Sequence, residues 1–174
     1  IAAILMVLEF PVPFAPSFYG LDFSELPALI GAFAYGPVAG VMIEFCKILI
    51  KLVLKPSSTA FVGELANFSI SCMLVLPASV IYLFKKSRKQ AILGTVVGTL
   101  IMTAFGSCFN AIYLLPKFSE LYGIPLDAII GMGTAINPAI HSISGLVLMC
   151  VVPLNLLKGG LVSLITILVY KKLS

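Results

Sequence analysis

Two pairs of polar residues stand in an otherwise apolar sequence at the spacing of one helix face. In Pro153-Leu154-Asn155-Leu156-Leu157-Lys158-Gly159-Gly160, Asn155 and Lys158 are three apart. Apolar sequence flanks them, from Ile143 to Val152 and from Leu161 to Val169. An ammonium at membrane depth costs about 2.5–3.5 kcal/mol on insertion scales. Such a charge persists where it faces a cavity, a partner or a substrate, or where its stem lets it snorkel to the interface. Pro153 removes a backbone hydrogen bond beside the pair. Gly159 and Gly160 permit close approach of another backbone or a ligand. The second pair, Glu64 and Asn67, lies in Gly63-Glu64-Leu65-Ala66-Asn67. A carboxylate and an amide there can bind hydroxyls. Alternatively, Glu64 caps its helix or pairs with a lysine such as Lys47 or Lys158.

Asn110, in Ser107-Cys108-Phe109-Asn110, presents a donor beside an acceptor. That pattern suits an amide-like heterocycle edge, and equally an interhelical hydrogen bond. Glu44, Lys47, Lys51 and Lys55 share one stripe. An open basic stripe would suit anion conduction. The spacing instead predicts an internal Glu44–Lys47 pair, with Lys51 and Lys55 reaching the interface. His141 is the one histidine, and it reads as a structural hydrogen-bonder. Serine, histidine and acidic residues form no recognisable triad spacing, so enzymatic chemistry has little support.

The elements that carry these residues follow from composition. The chain has 174 residues, 60% hydrophobic and 10% charged, with a mean hydropathy of +1.15. A soluble domain of this length needs far more charge. The fold class is therefore an all-α polytopic membrane protein, with residues 1–174 forming one membrane-embedded domain. The net charge of +4 reads as topology and not as nucleic-acid binding. Cys46, Cys72, Cys108 and Cys150 lie in apolar runs without metal-ligand spacing and read as packing residues.

Six helices are expected. The first ends near Phe10, and its run from Ile1 is shorter than the roughly 20 residues of a span. Part of it is expected upstream of Ile1. A stiff loop with Pro11, Pro13 and Pro16 follows, interleaved with Phe14, Phe18 and Tyr19. Asp22 or Ser24 can cap a second helix running to Tyr35. The others are expected near 38–54, 60–84, 90–115 and 142–170. A long connection over 116–141 is expected to hold a short helix near 126–132. Lys85, Lys86, Arg88 and Lys89 form the dense basic loop and fall in the cytoplasm by the positive-inside rule. Lys171 and Lys172 fall on the same side, which places both termini in the cytoplasm and the elaborate loops outside.

Several stretches together resemble one family. They are Glu9-Phe-Pro-Val-Pro-Phe14, Leu21-Asp-Phe-Ser-Glu-Leu-Pro-Ala-Leu-Ile-Gly31, Gly36-Pro37 with Gly40, Phe61-Val-Gly-Glu-Leu-Ala-Asn-Phe68, and Pro153-Leu-Asn-Leu-Leu-Lys158. The chain resembles the riboflavin-specific S component of energy-coupling factor (ECF) vitamin transporters over essentially its whole length. The resemblance implies six membrane helices with an ordered helix 1–2 extracellular loop, in the cell membrane of a prokaryote. It implies capture of riboflavin from outside, with a transmembrane coupling subunit and two cytoplasmic ATPases as partners. No cofactor is implied for this chain. ATP belongs to the partners, and no GxxxxGK[ST] loop occurs here. The implied pocket residues are Phe14, Tyr19, Glu64, Asn67, Asn110, Asn155 and Lys158. Ala2 and Ala3 correspond to the tail of a small-residue pattern that docks the coupling subunit.

The chemistry of those residues fits a flavin: amides for the pyrimidine edge, Lys158 as a donor to a ring acceptor, apolar residues around the xylene end. In this reading Lys158 acts as a neutral-ligand donor, and Glu64 is one candidate to neutralise it. Two competing readings are an ion- or proton-coupled secondary transporter using Glu44, Glu64 or Lys158, and a non-transporting assembly subunit. The lack of an evident internal repeat weakens the transporter reading.

Overall fold

The computed structural model describes residues 1–57 and 59–173, with side chains up to residue 169. The side chains of Lys171 and Lys172 thus lie outside the described residues. The chain is mostly helical, and two of its helices, Glu25–Tyr35 and Leu115–Tyr122, end at glycines. Helix α1 covers Ala2–Val7 and α2 covers Glu25–Tyr35. Gly36 follows at φ +99°, a conformation that favours glycine, and Pro37 opens α3 (Pro37–Leu54). Helix α4 covers Val62–Phe84 and α5 covers Arg88–Phe109, with the Ser87 hydroxyl capping the Gln90 N–H. Helix α6 is Leu115–Tyr122, α7 is Leu126–Ile136, α8 is Ile143–Leu146 and α9 is Val152–Leu173.

Two of these joins differ from expectation. The α5 helix does not stop before Pro116. A π-helical turn, Asn110–Leu114, carries it directly into α6, which ends at Gly123 with φ +61°. A second π turn, Val147–Val151, joins α8 to α9. Each π turn lies just ahead of a proline, Pro116 or Pro153. The wider turn takes up the ring that would clash with a regular α turn. The proline-rich loop also contains regular pairing. Strands β1 (Phe10–Pro11) and β2 (Gly20–Leu21) form an antiparallel ladder with Phe10 opposite Leu21. The loop is thereby closed at its base, an ordering that its prolines did not reveal.

Among the described residues, three helical stretches are long and apolar enough to cross a membrane: Val62–Phe84, Arg88–Tyr122 and Ile143–Val169. They pack on one another around two cores. One contains Leu29, Phe33, Leu74, Tyr82, Met102 and Val162. The other, beneath the β1–β2 loop, contains Tyr19, Val62, Leu115, Ile140, Leu146 and Cys150.

The α4–α5 contact depends on Gly94 and Gly98, four apart on one face. A Cβ at Gly98 would lie 2.6 Å from the Leu74 carbonyl oxygen, and one at Gly94 would lie 2.5 Å from that of Ala78. Small residues at this spacing let membrane helices approach closely. Gly98→Ala is expected to destabilise the protein by at least about 1 kcal/mol through overpacking. A lower melting midpoint in detergent checks this, and an unchanged midpoint would show that the helices separate without cost.

Ala2 and Ala3 are buried in the bundle, and α1 packs on α3. They also line an open groove with Met42, Ile43 and Cys46 of α3. Their small side chains serve the α1–α3 approach.

Candidate functional site

A cavity of about 250 Å³ opens beneath the β1–β2 loop. Its walls are the start of α4, the π turn after α5, and the first half of α9. Tyr19, Glu64, Asn67, Asn110, Asn155 and Lys158 all line it, so six of the seven expected pocket residues meet in one space. Phe14 does not line this wall. It packs on the core below the loop, and its carbonyl accepts a 3.2 Å contact from the Cys150 thiol. Phe18 is the loop aromatic that reaches the cavity. A second cavity, of about 410 Å³, shares Glu9, Phe18, Gly20, Thr59 and Phe118 with the first. The two cavities are therefore neighbours along this shared wall.

The amides fall into two groups. Asn110 is fully engaged: its Oδ1 accepts from the Tyr19 hydroxyl at 2.7 Å, and its Nδ2 donates to the Gly106 carbonyl at 2.7 Å. Burial pushes the Tyr19 phenol well above its ordinary range, which keeps it a neutral donor. Asn110 thus pins the loop to the bundle. Asn155 Nδ2 and Asn67 Oδ1, by contrast, are buried with no hydrogen-bond partner among the described residues. One is a donor and the other an acceptor, and both residues line the cavity. A buried polar atom left unpaired costs about 1–3 kcal/mol, so such a pair marks where a polar ligand edge fits. Gly106 makes room for this arrangement, since a Cβ there would lie 2.8 Å from Asn155 Nδ2.

Lys158 is not neutralised by Glu64. Its Nζ donates to Asp22 Oδ2 at 3.0 Å and lies 2.7 Å from Glu25 Oε1. Burial alone would raise the Asp22 carboxyl. The Lys158 and Lys47 charges and the hydrogen bonds from Ser24 outweigh it and hold that carboxyl below the usual range. Glu64 instead pairs with Lys51 and accepts from Ser57 at 2.8 Å and Thr59 at 3.1 Å. The Thr59 hydroxyl in turn accepts from the Gly63 N–H at 3.0 Å. Glu64 therefore organises the turn into α4, where Ala60 and Phe61 hold positive φ.

The lysine stripe of α3 is closed by carboxylates along its length. Lys47 lies 2.5 Å from Glu44, as the spacing predicted. Lys51 turns to Glu64, and Lys55 lies 3.5 Å from Glu9. The expectation that Lys51 simply reaches the interface is corrected, because α3 packs beside α4 and offers it a carboxylate. Asp22, Lys51 and Phe18 also line the cavity, and Glu25 meets Lys158 beside it; spacing nominated none of the four. The signal available was that Asp22 and Glu25 are three apart among apolar neighbours, as are Asn155 and Lys158.

Apolar helices enclosing a polar-lined cavity under an ordered loop define a helical membrane protein with a small-solute site. The relatives sharpen that class. The chain belongs to the substrate-specific components of ECF transporters, whose family model matches residues 1–170. It is 33% identical to the riboflavin transporter RibU of Staphylococcus aureus, over 100% of this chain and 85% of that protein. It is 31% identical to the riboflavin transporter FmnP of Bacillus subtilis, over 99% of this chain and 86% of that protein. A solved structure described as the S component of a bacterial ECF transporter is 35% identical, with a TM-score of 0.75. That match covers 99% of this chain and 88% of the other. These relatives are transporter components and not enzymes.

Proposed function

We propose that this chain captures riboflavin from outside the cell and delivers it through an ATP-driven ECF complex. The observation that carries the reading is the unpaired donor–acceptor pair, Asn155 Nδ2 and Asn67 Oδ1, in a cavity otherwise closed by paired charges. Riboflavin is uncharged, with C=O and N–H groups along one ring edge and hydroxyls on its ribityl chain. A neutral ligand suits a site whose net charges already have partners. The names of the two relatives given above support the same choice of ligand.

A cavity of about 250 Å³ lies just below the roughly 300–1,000 Å³ of ordinary small-molecule sites. Admission of a tricyclic ring therefore joins it to the neighbouring cavity, by movement of Phe18 and Phe118 between them. Phe14 then acts beneath the loop and supports it from outside the ligand's contact shell.

In the membrane, six helices surround this site. At 11 residues, α2 is about 16 Å long and does not cross the roughly 30 Å hydrocarbon core alone. The Lys85–Lys89 loop faces the cytoplasm, and the cavity opens at the opposite end of α4, α5 and α9. Both termini lie on the cytoplasmic side. A coupling subunit and two ATPases complete the transporter, and this chain holds no cofactor of its own.

The test is direct. The purified chain is expected to bind riboflavin without added ions and to quench its fluorescence, with oxidised-flavin absorbance retained through gel filtration. A chain that purifies folded but leaves riboflavin fluorescence unchanged would overturn the proposal. Binding that requires sodium or a proton gradient would favour a secondary transporter.

A further inference from the structure

A charged cluster runs from the cavity wall, at Asp22 and Lys158, back into the bundle. It joins Asp22 and Glu25 at the start of α2, Glu44 and Lys47 on α3, and Lys158 on α9. From α4, the Ser71 hydroxyl donates to Glu25 Oε1 at 2.6 Å, and the Cys72 thiol faces Glu44. From the α2 entry, the Ser24 hydroxyl accepts from Lys47 at 3.0 Å. Glu25, Glu44 and Lys47 are each at most 1% exposed.

The cluster contains three carboxylates and two ammonium groups, an excess of one negative charge when all are ionised. An uncompensated charge at full burial is costly enough that such a group neutralises instead. The hydrogen bonds identify where. Both Asp22 oxygens accept bonds, from the Ser24 N–H and from Lys158. Glu25 Oε2 and Glu44 Oε1 are buried without a hydrogen-bond partner among the described residues, and Glu44 Oε2 meets Lys47. A metal ion is a poor alternative, because no three acidic or other ligating side chains among the described residues converge to hold one.

We propose that the Glu25–Glu44 pair is a proton-binding site, holding one proton at neutral pH and linked to the solute cavity through Lys158. The proton comes from solvent, and binding it leaves the five-residue cluster neutral. Both carboxyl groups face one ammonium, Lys47 Nζ lying 3.9 Å from Glu25 Oε1 and 2.5 Å from Glu44 Oε2. The link to the cavity rests on the riboflavin reading: an acceptor on the ligand draws part of the Lys158 charge away from Glu25. The pair then holds its proton more tightly. By reciprocity, the ligand binds less tightly at pH values where the proton has left.

Infrared spectroscopy of the purified, ligand-free chain tests the site. At neutral pH it is expected to show the C=O stretch of a protonated carboxyl group, shifted in D₂O. Absence of that band overturns the proposal, whether or not any variant folds. Glu25→Gln and Glu44→Gln each leave two carboxylates and two ammonium groups, so each is expected to abolish the band. A band surviving in either variant places the proton elsewhere and overturns the assignment. Added riboflavin is expected to move the loss of the wild-type band to higher pH. An unmoved transition in protein shown by fluorescence quenching to be loaded overturns the link to the cavity. A chain that binds no flavin sinks the riboflavin reading and leaves the ligand-free band to be judged by itself.

Discussion

Lys158→Ala is expected to destabilise the protein by about 3–5 kcal/mol, the cost of breaking a buried ion pair by removing one partner. Lys158 touches Asp22 and Glu25 together, and its own side chain is only 12% exposed. Without it, three buried carboxylates share Lys47 alone. Repacking around the lost stem adds a smaller apolar term. The charge term has a definite pH sign. As pH falls, the carboxylates take up protons and the uncompensated charge disappears. The gap between variant and wild-type melting midpoints in detergent is therefore expected to narrow on acidification. A second substitution, Asp22→Asn, is expected to recover part of the loss, because it removes the charge that Lys158 neutralises. A double-mutant cycle reads that coupling. A Lys158 that merely snorkelled to the membrane surface would behave otherwise: an unchanged midpoint at all pH values, with no coupling to Asp22, would sink the structural argument.

Only part of the arrangement around Lys158 is legible in the sequence. That Asn155 and Lys158 share a face follows from helical spacing alone, and the structure puts both on one cavity wall. The lysine's partners are another matter. Asp22 is 136 residues away along the chain, and no local pattern records that contact. Glu64 is the carboxylate that the sequence offers to Lys158, because it stands isolated in an apolar helix. The outcome was decided by which helices are neighbours: α3 beside α4 delivers Lys51 to Glu64, and α2 beside α9 delivers Asp22 and Glu25 to Lys158.

The helix boundaries were legible where the punctuation is local, as at Gly36-Pro37 and Ser87. They were illegible where proline is accommodated. Pro116 reads as a stop because the rule for proline assumes an α turn before it, and a π turn removes that premise. The same holds within the loop. Prolines argue against regular structure, yet two short strands pair at its base. That ladder sets which aromatic reaches the cavity and which lies beneath it, so the sequence could place aromatics in the roof without separating Phe14 from Phe18.

Asn155→Ala is expected to separate binding from stability. Asn155 Nδ2 is buried without a partner among the described residues, so removing the amide breaks no bond at that atom. The folded protein should then be little destabilised, since an unsatisfied donor is lost with it. Binding is different. If the donor meets a ring acceptor of riboflavin, its loss leaves that acceptor buried and unpaired, at about 1–3 kcal/mol, or roughly 5- to 150-fold in affinity. Gly106 strengthens this expectation: a Cβ there would lie 2.8 Å from Nδ2, so α5 limits how far the amide can turn away from the cavity. Fluorescence titration and a melting curve on the same preparation give both quantities. Weaker binding with an unchanged midpoint supports a ligand contact. The reverse, a lower midpoint with unchanged affinity, would make Asn155 an interhelical fastener and would move the ligand's polar edge toward Asn67 alone. Lys158 cannot make this distinction, because its substitution disturbs the carboxylates behind the cavity as well as the cavity itself. Asn155 is thus the sharper probe of whether the unpaired amide positions are what the ligand recognises.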